Sequence, residues 1–480
     1  MKRRLRATAA ALGAAGLIVA LQLAPASPVA AADSKAFAFT SDFSTGSLSV
    51  VNLPTRTVTQ DVESVCSDAA LRYYNGALFV VSRFGCDNIQ VIDPTSFGTL
   101  RQFSVMNGTN PQDITFLTAN KAYVPRYGSA SLLTVNPSSV NGFPQTQISL
   151  AGFADSDGIP EMAHSIRIGR YLFVACQRLT SFAASNPSLV VVIDTQTDQV
   201  VDVDPNTSGV QAIPLTLRNP VTSFEYDKVH HWLLIGCAGN FGALDGGIEA
   251  IDPYTFTAQG VRITETELGG DVNDIVWHTA NHAYALVGDG SVNRLVTWNP
   301  ATGLKTATLI TVNGGFSLPD MEMNDRSELY VCKNPSPATG SDLPGLLVFS
   351  TATDALLAGP LNTGLPPVAV TFDHATDTPL SVGDGTPPAA LALGAPWPNP
   401  ARTSARVALR LGSTSQVQVA VTDVAGRTLR RLFDGPLGAG QQEMVWDLRD
   451  ENGRGVPAGL YFVRAVVGGA ASSRTVAVIR

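Results

Sequence analysis

Ala77-Leu78-Phe79-Val80-Val81-Ser82-Arg83-Phe84-Gly85 runs into Ile89-Gln90-Val91-Ile92-Asp93-Pro94, and Lys121-Ala122-Tyr123-Val124-Pro125-Arg126-Tyr127-Gly128 runs into Leu132-Leu133-Thr134-Val135-Asn136-Pro137. Each stretch is an apolar, β-rich run, a small or polar turn, a second run, and then Asp-Pro or Asn-Pro. The closing dipeptide is a turn with a mechanism, since the short polar side chain bonds nearby backbone and proline presets φ. Runs that line up with the first of these begin near Ala36, Ala77, Ala122, Tyr171, Trp232, Ala283 and Leu329. Their spacing averages roughly 49 residues, the length of a four-stranded repeat unit.

Further strands precede most units, including Gln112-Asp113-Ile114-Thr115-Phe116, Val221-Thr222-Ser223-Phe224-Glu225 and Asn273-Asp274-Ile275-Val276-Trp277. The first unit has none before it. Pro367-Val368-Ala369-Val370-Thr371-Phe372-Asp373 supplies one from the far end, which predicts a closed ring of seven four-stranded blades without an open edge. The expected fold is therefore all-β, a seven-bladed β-propeller over residues 33–376. Extra length falls between Ala151 and Gln211 and around Ala238 to Gly247.

The flanking segments differ in kind. Lys2, Arg3, Arg4 and Arg6 precede the apolar stretch Ala9 to Leu23, and Ala30-Ala31-Ala32 offers small residues for cleavage. Residues 1–32 read as a signal peptide. No other stretch is apolar over 18 residues, so no transmembrane helix is expected in the mature chain. Residues 377–398 are rich in Pro, Gly, Ala and Thr and read as a linker. Residues 399–480 read as a small β-sandwich, with Val417, Val419 and Val421 alternating as on a half-buried strand. Trp446, Leu460 and Phe462 are expected to supply its core.

Charge narrows the partners. The formal net charge is −8. Asp33 to Ala389 carries 17 Lys and Arg against 34 Asp and Glu, whereas Ala390 to Arg480 carries 11 Arg, no Lys and 6 acids. An acidic body repels nucleic-acid phosphates, so no nucleic acid is expected as a partner.

The repeat resembles that of YVTN-type propellers, through Tyr123-Val124, Tyr330-Val331, Val91-Ile92-Asp93 and Val192-Ile193-Asp194. Relatives of that architecture include binding proteins, surface-layer proteins, lactonases and quinoprotein dehydrogenase subunits, so the resemblance implies fold more than activity. The C-terminal segment carries Pro398-Asn399-Pro400-Ala401, Asp423-Val424-Ala425-Gly426-Arg427, Trp446-Asp447-Leu448-Arg449-Asp450, Gly453-Arg454 and Pro457-Ala458-Gly459-Leu460-Tyr461-Phe462-Val463-Arg464. It resembles the type A sorting domain of type IX secretion, similar in turn to the immunoglobulin-like domain of flagellar hook-capping proteins. Sorting domains often carry Lys near their end, whereas this segment has only Arg. The resemblance implies the secretion machinery as a partner and a destination at the bacterial cell surface or outside the cell, with the periplasm as the alternative.

Chemistry is sparse. Asp155-Ser156-Asp157-Gly158-Ile159-Pro160-Glu161 resembles the start of a calcium loop, making Asp155, Asp157 and Glu161 a candidate Ca²⁺ site, although it lacks the remaining EF-hand ligands. A solvated acidic turn accounts for the same residues. Arg83 and Arg126 occupy similar positions just past two inner runs and are expected near a channel rim, either binding an anionic ligand or paired with acids such as Asp42 or Asp113. His164, Gln177 and Arg178 are candidate contributors to the same face. Cys66 and Cys86 flank one predicted strand pair and are the cysteines placed to form a disulfide. Cys176, Cys237 and Cys332 end packed runs as expected buried thiols. No Walker sequence, His-Glu-x-x-His, Gly-x-Ser-x-Gly or Cys-x-x-Cys-His occurs. The expected role is non-catalytic binding of a ligand or protein at the surface, the alternative a lactonase-like hydrolase or periplasmic oxidoreductase subunit.

Overall fold

The computed structural model describes residues 33–336, 342–373, 391–411, 415–424, 426–438, 440–467 and 470–479. The expected signal peptide, most of the linker and Ala425 lie outside the described residues. Among the described residues no helix is long and apolar enough to cross a membrane.

Between Asp33 and Asp373 the chain folds into seven antiparallel sheets, and the protein is a β-propeller in architecture. The second sheet is typical, with Ala69–Tyr74 innermost, then Ala77–Ser82, Asn88–Ile92 and Thr99–Ser104. The innermost strands of the third to seventh sheets are Thr115–Thr118, Met162–Ile168, Glu225–Asp227, Asp271–Thr279 and Met321–Met323. The first sheet is composite. Its inner strand is Pro367–Phe372, which pairs antiparallel with Lys35–Ser41, Ala38 facing Val370. The two ends of this domain thus share one sheet.

Burial explains why the sequence shows continuous apolar runs rather than alternation. Ala36 to Ser41 and Leu172 to Cys176 are buried throughout, because middle strands are covered by neighbouring sheets on both faces. Outer strands such as Thr57–Val65 are largely exposed. The Asp-Pro turns work as read: Asp93 Oδ1 accepts the N–H groups of Thr95 and Ser96, both at 2.8 Å. Only in the fourth sheet is the outer strand replaced, by two short pieces, Gln199–Val200 and Ile213–Pro214, that both pair with Leu189–Asp194.

The C-terminal sandwich packs a sheet of Leu391–Leu393, Ala405–Leu411 and Gly440–Trp446 against one of Thr428–Leu437, Ser415–Thr422, Gly459–Val467 and Ala470–Val478. Leu391 to Leu393 pairs with Leu409 to Leu411, so the sandwich begins before residue 399 and takes in the end of the expected linker. Its core holds Val417, Val419, Val421, Trp446, Tyr461 and Val463. One expectation is corrected here. Leu460 is 54% exposed, and the strand from Gly459 turns Tyr461, Val463, Ala465 and Val467 inward instead of Leu460 and Phe462. Tyr461 anchors that register: its hydroxyl donates to Pro457 O at 2.7 Å and its ring meets Trp446 edge-on at 5.3 Å.

Candidate functional site

The inner strands surround an axial channel, and Arg72 lies across it. Its guanidinium pairs with Asp113 at 2.9 Å in the third sheet and donates to Ser223 Oγ at 3.3 Å in the fifth. Arg72, Ser223, Glu225 and Glu322 all border two cavities, one of about 220 Å³ and one of about 280 Å³. The smaller opens at the end where the inner strands begin, with Phe316 and Arg83 on its border and Asp274 and Asp320 in its wall.

Four of the channel carboxylates are committed to backbone. Asp113 Oδ2 accepts Ser165 N–H of the fourth sheet, Glu225 Oε2 accepts Trp277 N–H of the sixth, Asp274 Oδ2 accepts Met321 N–H of the seventh, and Asp320 Oδ2 accepts Val370 N–H of the first. Arg72 to Asp113 links the second sheet to the third, and Gln177 Nε2 to Pro220 O links the fourth to the fifth. Ser41 Oγ, donating to Ser67 O, joins the first sheet to the second. Each sheet is therefore bonded to the next around the ring.

Burial sets the acidities. It pushes the Glu225 carboxyl up to about 7, only partly offset by the Trp277 N–H. It raises Asp320 to about 6, against the lowering effects of Val370 N–H, Arg72 and Arg83. It raises Asp274 further, with the Asp320 charge adding to the effect. Burial alone would raise Asp113 too, but Arg72 and His164 hold it well below the usual carboxylate range.

The candidates read from the sequence are dispersed. Arg83 does lie by the channel mouth, paired with Asp68 at 2.6 Å rather than with Asp42 or Asp113. Arg126 is a correction: only 1% exposed, it donates to Val105 O and Ser131 O and to Gln147 Oε1, and burial lowers it to about 10. It braces its own loop and presents nothing to a ligand. His164 stands 3.5 Å from Asp113 on the channel wall. Gln177 is buried in its tie to Pro220, and Arg178 donates to Pro187 O.

Asp155 Oδ2 accepts Thr180 Oγ1 and Asn186 Nδ2, Asp157 Oδ1 accepts Ile159 N–H, and Glu161 Oε2 accepts Leu179 N–H. Burial, with Asp157 and Asp155 nearby, pushes Glu161 up to about 7. Among the described residues no three His, Cys, Asp or Glu side chains form a group able to hold a metal ion. Cys66 and Cys86 are disulfide-bonded, their Cα atoms 6.5 Å apart, while Cys176, Cys237 and Cys332 are buried and free. His230 and His231 sit in a turn, bonded to Asp227 and Tyr226.

Sequence reasoning missed the ring of acids, although a signal was present. Asp113, Asp274 and Asp320 each stand ten residues before a buried tyrosine, Tyr123, Tyr284 and Tyr330. Two of those tyrosines also reach the following sheet: Tyr123 donates to Asp198 and Tyr284 to Asp354, both at 2.7 Å.

Residues 401–470 match the family described as FlgD Ig-like domain. No curated protein matches the chain. Among solved structures, the chain is similar to the Dos1 propeller, with 10% identity, TM-score 0.44, and coverage of 68% of this chain and 80% of that one. It is similar to AztD from Citrobacter koseri at 12% identity and TM-score 0.44, covering 70% of this chain and 97% of that one. A luciferin-regenerating enzyme matches at 11% identity and TM-score 0.39, covering 62% and 92%.

Proposed function

We propose that this is an exported, YVTN-type seven-bladed propeller with a non-catalytic recognition role, delivered to or anchored at the cell surface by its C-terminal domain. The observation that carries the recognition reading is the use of the channel carboxylates. Asp113, Glu225, Asp274 and Asp320 hold backbone N–H groups of neighbouring sheets, and Arg72 bridges two sheets between them. That is the work of a scaffold, and it leaves the loops at the channel mouth for binding. The basic, apolar and Ala-Ala-Ala segments of residues 1–32 support export, and the motif order from Pro398 to Arg464 supports sorting.

The test is topological. In a host with type IX secretion, deletion of residues 391–480 should leave a folded propeller in the periplasm, and the same residues fused to an exported reporter should carry it to the surface. Surface display of the deletion variant, or a reporter retained in the periplasm, would reduce the domain to a structural module of the hook-capping kind. One observation favours an enzyme instead: Glu225, at about 7 beside a cavity, has the acidity of a general acid or base. Loss of a hydrolytic activity in Glu225→Gln, with folding intact, would establish that reading.

A further inference from the structure

Five phenylalanines stand in solvent at one end of the propeller. Phe43, Phe84, Phe182 and Phe241 lie in loops that leave the second strands of their sheets, and Phe316 lies in a loop that enters an inner strand. In an antiparallel meander those loops open at the same end, here the end of the smaller channel cavity, which Phe316 borders. Each ring is more than half exposed. Only one other phenylalanine among the described residues is so exposed, Phe143 at the opposite end.

Two pairs of these loops are tied together. Phe43 and Phe316 meet at 5.8 Å, joining the loops of the first and seventh sheets. Asn240 Oδ1 accepts Ala184 N–H, joining the loops that carry Phe241 and Phe182. Phe43 and Phe182 have φ of 65° and 66°, a region that bulky side chains rarely adopt.

We propose that this end is a docking surface for a basic segment of a partner protein, with Lys or Arg side chains seated against the phenylalanine rings and toward the channel mouth. The proposal rests on the recognition reading above and names the class of partner. Charge selects it. The loops at this end carry Asp42, Asp155, Asp157, Asp245 and Asp289, while of the cations there Arg83 is paired with Asp68, Arg294 with Asp289 and Lys333 with Asp342, and Arg178 and Arg218 donate to backbone carbonyls. Cations are attracted both by such a field and by aromatic faces. An acidic partner meets repulsion, and a neutral glycan gains nothing from the charge.

The purified protein is titrated, by fluorescence anisotropy, with a labelled Arg-Gly-Lys-Gly repeat peptide, its Glu-Gly counterpart and labelled cellohexaose. The basic peptide should bind, more weakly as salt is raised. The double variant Phe84→Ser/Phe241→Ser should bind it at least about fivefold more weakly with an unchanged melting temperature, since both rings are exposed. Equal binding of the acidic peptide, or indifference to the double variant, overturns the proposal. Binding of cellohexaose alone, lost in the double variant, also overturns it but leaves the recognition reading standing. The secretion experiment is independent of all these outcomes.

Discussion

Asp320 Oδ2 accepts the N–H of Val370 at 2.7 Å, across the junction where the last inner strand joins the first sheet. Val370 in turn faces Ala38 in the strand ladder, so this carboxylate secures the closure made by the two ends of the domain. A buried N–H left without an acceptor costs about 1–3 kcal/mol. Asp320→Ala should therefore destabilise the propeller by that amount in urea titration. Asp320→Asn keeps an acceptor for Val370 and removes a charge that burial disfavours. It should be no less stable than the parent at pH 8.

Arg72 presents a sharper case, because its loss strands a charge. It is the partner of Asp113 and also reaches Ser223 on the far side of the channel. Removing one member of a buried ion pair typically costs about 3–5 kcal/mol. Arg72→Met should fall in that range by denaturant unfolding. Arg72→Lys should recover only part of it, since an ammonium lacks the fork that serves two sheets at once.

The fold was legible for a physical reason. Strands covered on both faces need unbroken apolar runs, and these repeat with the same turn chemistry at Asp93, Asn136 and Asp252. The closing strand could be read from the missing partner of Ala36 to Thr40. The site was less legible because similar motifs have different fates. Ser82-Arg83-Phe84-Gly85 and Pro125-Arg126-Tyr127-Gly128 look alike, yet Arg83 meets Asp68 at the mouth while Arg126 turns inward to carbonyl oxygens. In the sandwich, both Leu460 and Tyr461 are apolar enough for a core, and the choice between them is a one-residue register that composition does not settle.

That register can be measured. Trp446 is fully buried and Leu460 is not. Trp446→Ala should cost about 3–5 kcal/mol and unfold the sandwich first. Leu460→Ser should change stability by no more than about 0.5 kcal/mol. A large loss from Leu460→Ser, in a melt followed by near-ultraviolet circular dichroism, would show the strand facing the other way.

The disulfide joins the first sheet's exit to a loop of the second, with a sequence separation of 20. A loop of that length, freed in the unfolded chain, is worth about 3 kcal/mol. Cys66→Ser/Cys86→Ser should lower stability by roughly that much under oxidising conditions. The parent with reductant should move toward the same value, and the variant should not respond to reductant.

Stability should also depend on pH in an unusual direction. Glu161, Glu225 and Glu265 are pushed up to about 7 and Asp320 to about 6, in each case chiefly by burial, against ordinary values of 4.5 and 3.8. A carboxyl raised on folding binds its proton more tightly in the native state than in the unfolded one. Its contribution is fully present below the unfolded value and is lost as pH rises through the folded value. Unfolding free energy should therefore fall between about pH 5 and pH 8, by a total on the order of 3 kcal/mol or more. Asp113 and Asp93 work in the opposite sense: their lowered carboxyls lose stability only as pH falls below the ordinary 3.8. The two sets place the optimum near pH 4. Urea unfolding across this range checks the sign, and Asp320→Asn with Glu225→Gln should flatten the slope from pH 5 to 8. A parent protein more stable at pH 8 than at pH 5 would mean that these carboxyls are hydrated in solution and that the channel does not exclude water.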